Sequence, residues 1–135
     1  MIQNKIVARF RDGQILKGFT GDFLPTKPTF HLTPADAPPQ SKPVVVRLAD
    51  LKAVFFVKDL AGRPQPHSDR REFDPGKPVV GRKIRVVFKD QEILLGTTQG
   101  YDPSRSGFFV VPADTEANNE RVFVVTAATE RVSFI

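Results

Sequence analysis

The chain overlays on itself. A shift of 78 residues lays residues 5–57 on residues 83–135 without a gap, and about a third of the aligned positions are identical. The shared positions are of two kinds. Apolar ones recur: Ile6, Phe10, Ile15, Leu16, Phe30, Val44, Val46, Val54 and Phe56 fall on Ile84, Phe88, Ile93, Leu94, Phe108, Val122, Val124, Val132 and Phe134. Turn and bend residues recur as well: Asp12, Gly18, Pro25 and the run Pro34-Ala35-Asp36 fall on Asp90, Gly96, Pro103 and Pro112-Ala113-Asp114. Core and corner positions coincide, so the halves share one fold. Three segments follow: a first repeat over 1–57, a linker over 58–82 and a second repeat over 83–135.

Each repeat reads as five short strands. Ile6, Ala8 and Phe10 alternate with Val7, Arg9 and Arg11, a period of two with one polar face. Asp12-Gly13 is a hairpin signal. Gly18 and Gly96 interrupt the second strand of each repeat, where a sheet bends or another backbone comes close. The third, fourth and fifth strands are expected at about 29–33, 44–48 and 53–57, and again 78 residues later, with one helical turn near 49–52. The linker carries Pro64, Pro66, Pro75 and Pro78 among Arg63, Arg70 and Arg71, and reads as irregular chain. The fold class is therefore all-β: two tandem five-stranded small barrels related by internal duplication.

These pieces resemble known small barrels. Phe10-Arg11-Asp12-Gly13, Gly18-Phe19 and Asp22-Phe23, with Phe88-Lys89-Asp90, Gly96 and Tyr101-Asp102 in the second repeat, resemble the opening strands of Sm-like and SH3-like domains. The duplicated pattern as a whole is similar to an uncharacterised bacterial domain family. A second resemblance rests on Asp102-Pro103-Ser104-Arg105-Ser106-Gly107, which fits the D-x-S-x-x-G element of PilZ domains, with Arg70-Arg71 upstream. That likeness implies cyclic di-GMP bound by Arg70, Arg71, Asp102, Ser104 and Gly107.

Composition excludes more than it selects. There is no cysteine, hence no disulfide and no thiolate metal site. The two histidines, His31 and His67, stand far apart in sequence, and no spacing suggests a metal or a general base. No Gly-rich phosphate loop is present. Asp36 and Asp114 read as turn residues rather than a carboxylate pair. No cofactor and no enzymatic activity are expected. Neither a signal-peptide core nor a run of about 20 apolar residues occurs, so a cytoplasmic chain without membrane insertion is expected.

What remains is charge. The chain carries +5, distributed unevenly: +4 over residues 5–57, +2 over 58–82 and −1 over 83–135. This imbalance between matched repeats points to nucleic acid as the first-named ligand, held by Arg9, Arg11, Lys17, Arg63, Arg70 and Arg71. Lys27 is expected to extend the same stripe. Phe19, Phe23 and Tyr101 are candidate base-stacking rings, though covering the core explains them better. The alternative is a protein-interaction or assembly module, with another protein or, as a homo-oligomer, a second copy of the chain as partner, working through open edge strands.

Overall fold

The computed structural model describes residues 3–38, 40–60, 81–113 and 118–135. It is all-β. Among the described residues ten strands run β1 (Asn4–Phe10), β2 (Ile15–Thr20), β3 (Thr29–Pro34), β4 (Val44–Arg47), β5 (Leu51–Val57), β6 (Arg82–Phe88), β7 (Ile93–Thr98), β8 (Gly107–Pro112), β9 (Asn119–Val125) and β10 (Thr129–Phe134). Short 3-10 turns, Leu48–Asp50 and Thr126–Ala128, join the fourth strand of each repeat to the fifth. All pairings are antiparallel.

The strands form one open sheet, in the order β10-β6-β7-β8-β9-β5-β1-β2-β3-β4. The sequence led us to expect two tandem five-stranded barrels, each with its own core. Instead, the fifth strand of repeat one pairs with the fourth strand of repeat two, and the two halves share a continuous ladder. The sheet order is open at both ends, so barrel closure is not part of the pairing pattern.

Within each half the pairing repeats with the same offset of 78. Ile6 faces Gly18 as Ile84 faces Gly96, and Phe30 faces Val46 as Phe108 faces Val124. The second and third strands meet over two residue pairs only, Gly18↔Pro34 and Phe19↔Thr33, matched by Gly96↔Pro112 and Thr97↔Val111. The glycines permit this crossing. A Cβ on Gly18 would stand 2.1 Å from the Thr33 carbonyl oxygen, and one on Gly96 would stand 2.2 Å from that of Val111. The first hairpin turns through Gly13 at φ 96° and the equivalent one through Gln91 at φ 76°. In the second repeat a side chain therefore stands in the left-handed region, where glycine is at no disadvantage.

Two apolar clusters fill the halves, and neither is built from one repeat alone. The first gathers Ile6, Ala8, Phe30, Leu32, Val46, Leu51, Val54 and Phe56, and takes in Phe123 and Val125 from β9. The second gathers Ile84, Val86, Phe88, Phe108, Val110, Val122 and Val124, and takes in Ala53 with Phe55 packed against it from β5. Equivalent residues consequently differ in burial. Phe56 is 4% exposed and Phe134 40%; Phe88 is buried while Phe10 is half-buried. In each pair the more exposed ring belongs to the copy whose edge strand has no further partner among the described residues.

Candidate functional site

The junction between the repeats is the most elaborated polar site among the described residues. Its ladder sets Ala53 against Val124, Val54 against Phe123 and Phe55 against Val122. β9 therefore sends Val122 and Val124 into its own half and Phe123 and Val125 into the other. β5 and residues 122–125 of β9 are buried on two faces, as central strands are.

Charged side chains fasten the ends of this ladder. Lys52 lies at an irregularity in the β1–β5 register, between Leu51, which faces Phe10, and Ala53, which faces Arg9. Such an extra residue re-aims its side chain. Here the ammonium crosses to repeat two, where it donates to Asp90 at 2.7 Å and to Glu92, with Nζ 4.7 Å from the centroid of the Phe88 ring. Lys52 is 8% exposed, so its charge needs these partners. The hydrogen bond from Lys52, helped by the Glu92 backbone N–H and the nearby charges of Lys52 and Arg9, holds the Asp90 carboxyl below its ordinary value. Arg9 reaches Glu92 at 3.4 Å and lies over the Phe55 ring at 5.6 Å. From the other side, the Arg121 guanidinium stacks 4.3 Å from the Phe56 centroid and 5.0 Å from that of Phe109.

The two ends of the sheet repeat the strands of this junction without its partners. β4 is the equivalent of β9, and β10 of β5. Among the described residues each pairs on one side only. Exposed apolar side chains collect there: Val44 at 41%, Val45 at 58% and Phe134 at 40%, with Ile135 at 57% just beyond β10. Beside β4 lies an open cleft of about 430 Å³, lined by Phe10, Arg11, Asp12, Gln14, Ala49 and Asp50.

The residues expected to bind nucleic acid are only partly described. Arg63, Arg70 and Arg71 lie outside the described residues, as do most of the linker, His67 and Asp114. Arg9 and Lys17 share a face, because Val7 pairs with Lys17 and Arg9 with Ile15. Arg11 donates to the Ala49 carbonyl at 3.5 Å, and Lys27 sits in the β2–β3 turn. In the element resembling PilZ, Asp102 accepts from the Ser104 backbone N–H at 2.9 Å and from its hydroxyl at 2.7 Å. Those bonds from Ser104 hold the Asp102 carboxyl below its ordinary value. The same turn forms in repeat one without Asp or Ser: Lys27 N–H to Leu24 carbonyl matches Arg105 N–H to Asp102 carbonyl, both at 3.1 Å. Gly107 admits β9, since a Cβ there would lie 2.4 Å from the Val124 carbonyl oxygen.

The chain matches the model of a family of unknown function, DUF6982, over residues 3–135. It belongs to that family. No curated protein and no solved structure matches it. The resemblance to an uncharacterised domain family is thereby borne out, and the reading of this DUF6982 chain rests on its own geometry. No helix among the described residues is long and apolar enough to cross a membrane.

Two features of the DUF6982 chain escaped the sequence reading. One is the junction, whose signal lay in the positions where the repeats disagree. Phe123 and Val125 stand for Val45 and Arg47, making an unbroken apolar run at 122–125. The other is the exposed pair of His31 and Asp22, with Nδ1 2.6 Å from Oδ2. Asp22 also accepts the His31 backbone N–H at 2.9 Å and the Thr20 hydroxyl at 3.2 Å. Hydrogen bonds from His31 hold the Asp22 carboxyl below its ordinary value. This pair ties the β2–β3 connection to β3. Phe23, one candidate stacking ring, packs edge-on against Phe30 and Phe123, at centroid distances of 5.1 Å in both cases.

Proposed function

We propose that the chain is a non-enzymatic binding module that captures an extended partner strand on the open edge β4. The observation that carries this reading is the β5–β9 ladder. It displays the surface that a fourth strand of this unit offers to an added strand, and β4 is the same strand with no strand on that side among the described residues. Added backbone hydrogen bonds supply affinity in such docking, and alternating side-chain pockets supply selectivity. Pro43, at the position of Arg121, lacks an N–H and shortens the usable edge to Val44–Arg47.

The other readings draw less support. For nucleic acid, Arg9 is engaged by Glu92 and Arg47 by Asp50, which leaves fewer uncommitted cations on repeat one. A cyclic di-GMP sensor, as the PilZ likeness implies, would need Asp102 and Ser104 turned toward a ligand rather than bonded to each other. The Sm-like and SH3-like likeness is compatible with strand capture.

A direct test is selection of linear nine-residue peptides on the full chain, with Val45→Lys as the counter-target. Val45 is exposed, so the substitution spares the core while placing a charge on the edge. Binders rich in β-branched and aromatic residues that fail on Val45→Lys are expected. Binders indifferent to Val45→Lys would remove the edge reading. Salt-sensitive binding of RNA or DNA in a parallel titration at two salt concentrations would put nucleic acid ahead.

A further inference from the structure

The cleft beside β4 has a filled counterpart inside the same molecule. Shifted by 78 residues, its lining of Phe10, Arg11, Asp12, Gln14, Ala49 and Asp50 becomes Phe88, Lys89, Asp90, Glu92, Ala127 and Ala128. That second set includes the socket of Lys52, formed by Phe88, Asp90 and Glu92. The backbone frames agree bond for bond. Phe10 N–H donates to the Gln14 carbonyl at 2.9 Å and Phe88 N–H to that of Glu92 at 2.8 Å. Arg11 N–H donates to the Asp50 carbonyl and Lys89 N–H to that of Ala128, both at 2.9 Å. Asp12 Oδ1 accepts from Gln14 N–H at 2.9 Å, and Asp90 Oδ1 from Glu92 N–H at 3.0 Å. In Asp90 the remaining oxygen, Oδ2, holds Lys52. The Phe88 ring under Lys52 is buried, and the Phe10 ring in the cleft is half-buried.

We infer that this cleft is a socket for a lysine or arginine side chain carried by the strand that docks on β4. The inference rests on the strand-capture reading and names the chemistry of its partner. Transferring the β5–β9 register defines the ligand. The residue opposite Val46 is small, like Ala53, and the one opposite Val44 is large and apolar, like Phe55. The basic residue immediately precedes the one opposite Val46, as Lys52 precedes Ala53. Asp12 supplies the carboxylate that Asp90 supplies at the junction, and Phe10 supplies the ring face. Gln14 replaces Glu92, while Asp50, shared with Arg47, adds a carboxylate that Ala128 lacks. Arg11 lines the rim and stands where the second repeat has Lys89.

The same register shows why a second copy of this chain is a poor occupant. Its β10 would bring Glu130, the equivalent of Lys52, against Asp12 and Gln14, and would set Arg131 and Ser133 where β5 has Ala53 and Phe55. Like charges would meet in the socket.

The probe is a fluorescent peptide with the sequence of residues 50–58, Asp-Leu-Lys-Ala-Val-Phe-Phe-Val-Lys, titrated against the full chain by anisotropy. Saturable one-to-one binding is expected. It should weaken by about ten-fold or more when the peptide's first lysine becomes glutamate, and in the variant Asp12→Asn, whose amide oxygen still accepts the Gln14 N–H. Binding that ignores both changes but is lost in Val45→Lys would overturn the socket and leave strand capture standing. No binding at all would overturn both. A second arm uses the triple variant Glu130→Lys, Arg131→Ala, Ser133→Phe, which gives β10 the outward face of β5. It should self-associate with concentration, by mass in solution, where the parent does not, and Asp12→Asn should reverse this. A parent chain that itself oligomerises through β4 and β10 would overturn the inference.

Discussion

β9 and β4 are the same strand in two situations. Val122 and Val124 of β9 correspond to Val44 and Val46 of β4, the residues turned toward their own half. Val46 is buried as Val124 is, but Val44 is 41% exposed where Val122 is buried. The larger difference lies on the opposite face. Phe123 and Val125 are buried in the first cluster, whereas their counterparts Val45 and Arg47 are exposed. At the outer end Arg121 stacks on Phe56, and its counterpart Pro43 contributes no N–H. Edge and centre thus differ most on the outward face, with Val46 and Val124 packed alike. A charge and a proline beside a short strand are the usual means of keeping an edge from indiscriminate pairing. Val44 and Val45 remain as exposed apolar residues between them.

The sharpest way to break this comparison is to truncate the outward face at both places. Phe123→Ala removes a fully buried ring and should cost about 3–5 kcal/mol. Val45→Ala should change stability by no more than about 0.5 kcal/mol. Urea unfolding of the two variants beside the parent measures both. A comparable loss at Val45 would mean that β4 is covered in the free chain.

The next contrast concerns the bulged residue that opens the fifth strand. Lys52→Met keeps the packing but takes the shared ammonium from Asp90 and Glu92, leaving only Arg9 beside them. Both carboxylates are half-exposed, so the loss should be moderate, about 1–3 kcal/mol. Glu130→Met removes only an exposed hydrogen bond with Gln91, and should cost less than about 0.5 kcal/mol. Thermal melts decide the matter, and equal shifts would show that Lys52 contributes packing alone.

Strands and corners were legible because they depend on local pattern. Alternation at Ile6, Ala8 and Phe10, the Asp-Gly turn and the glycine at each crossing are properties of a few neighbouring residues. The β5–β9 junction was not read, because pairing between distant strands leaves its trace only in which positions tolerate exposure. Reading each repeat as a self-sufficient unit assigned Phe123 and Phe55 to nothing in particular. Arg9 shows the same limit for the site: its charge suggested a free cation, and its place in the fold gives it to Glu92. The unbroken apolar runs at 53–57 and 122–125 held the missing information, since such runs mark strands covered on both sides.

The smallest effect separates two aspartates in identical turns. Asp90 and Asp12 each accept a backbone N–H two residues on, and an asparagine oxygen serves that purpose as well. Only Asp90 also holds Lys52, and its folded carboxyl lies below the ordinary 3.8. An unfolded aspartate titrates near about 3.9. The native state therefore binds fewer protons in this window. The stabilisation is fully present above the unfolded value and is lost as pH falls through the lower folded value. Asp90→Asn should accordingly be less stable than the parent at pH 7, by about 1 kcal/mol given the exposure of the carboxylate. The gap should close as pH falls below about 4, because both chains then lack the charge. Asp12→Asn, which removes no ion pair, should lie within about 0.5 kcal/mol of the parent at pH 7. Asp22 and Asp102 also titrate low, but they are common to all three chains and cancel in the differences. Urea unfolding at pH 7 and in steps to pH 3 supplies the measurement. A gap at Asp12→Asn as large as that at Asp90→Asn would mean that the cleft already holds a cation from within the chain, and that its resemblance to an empty socket is false.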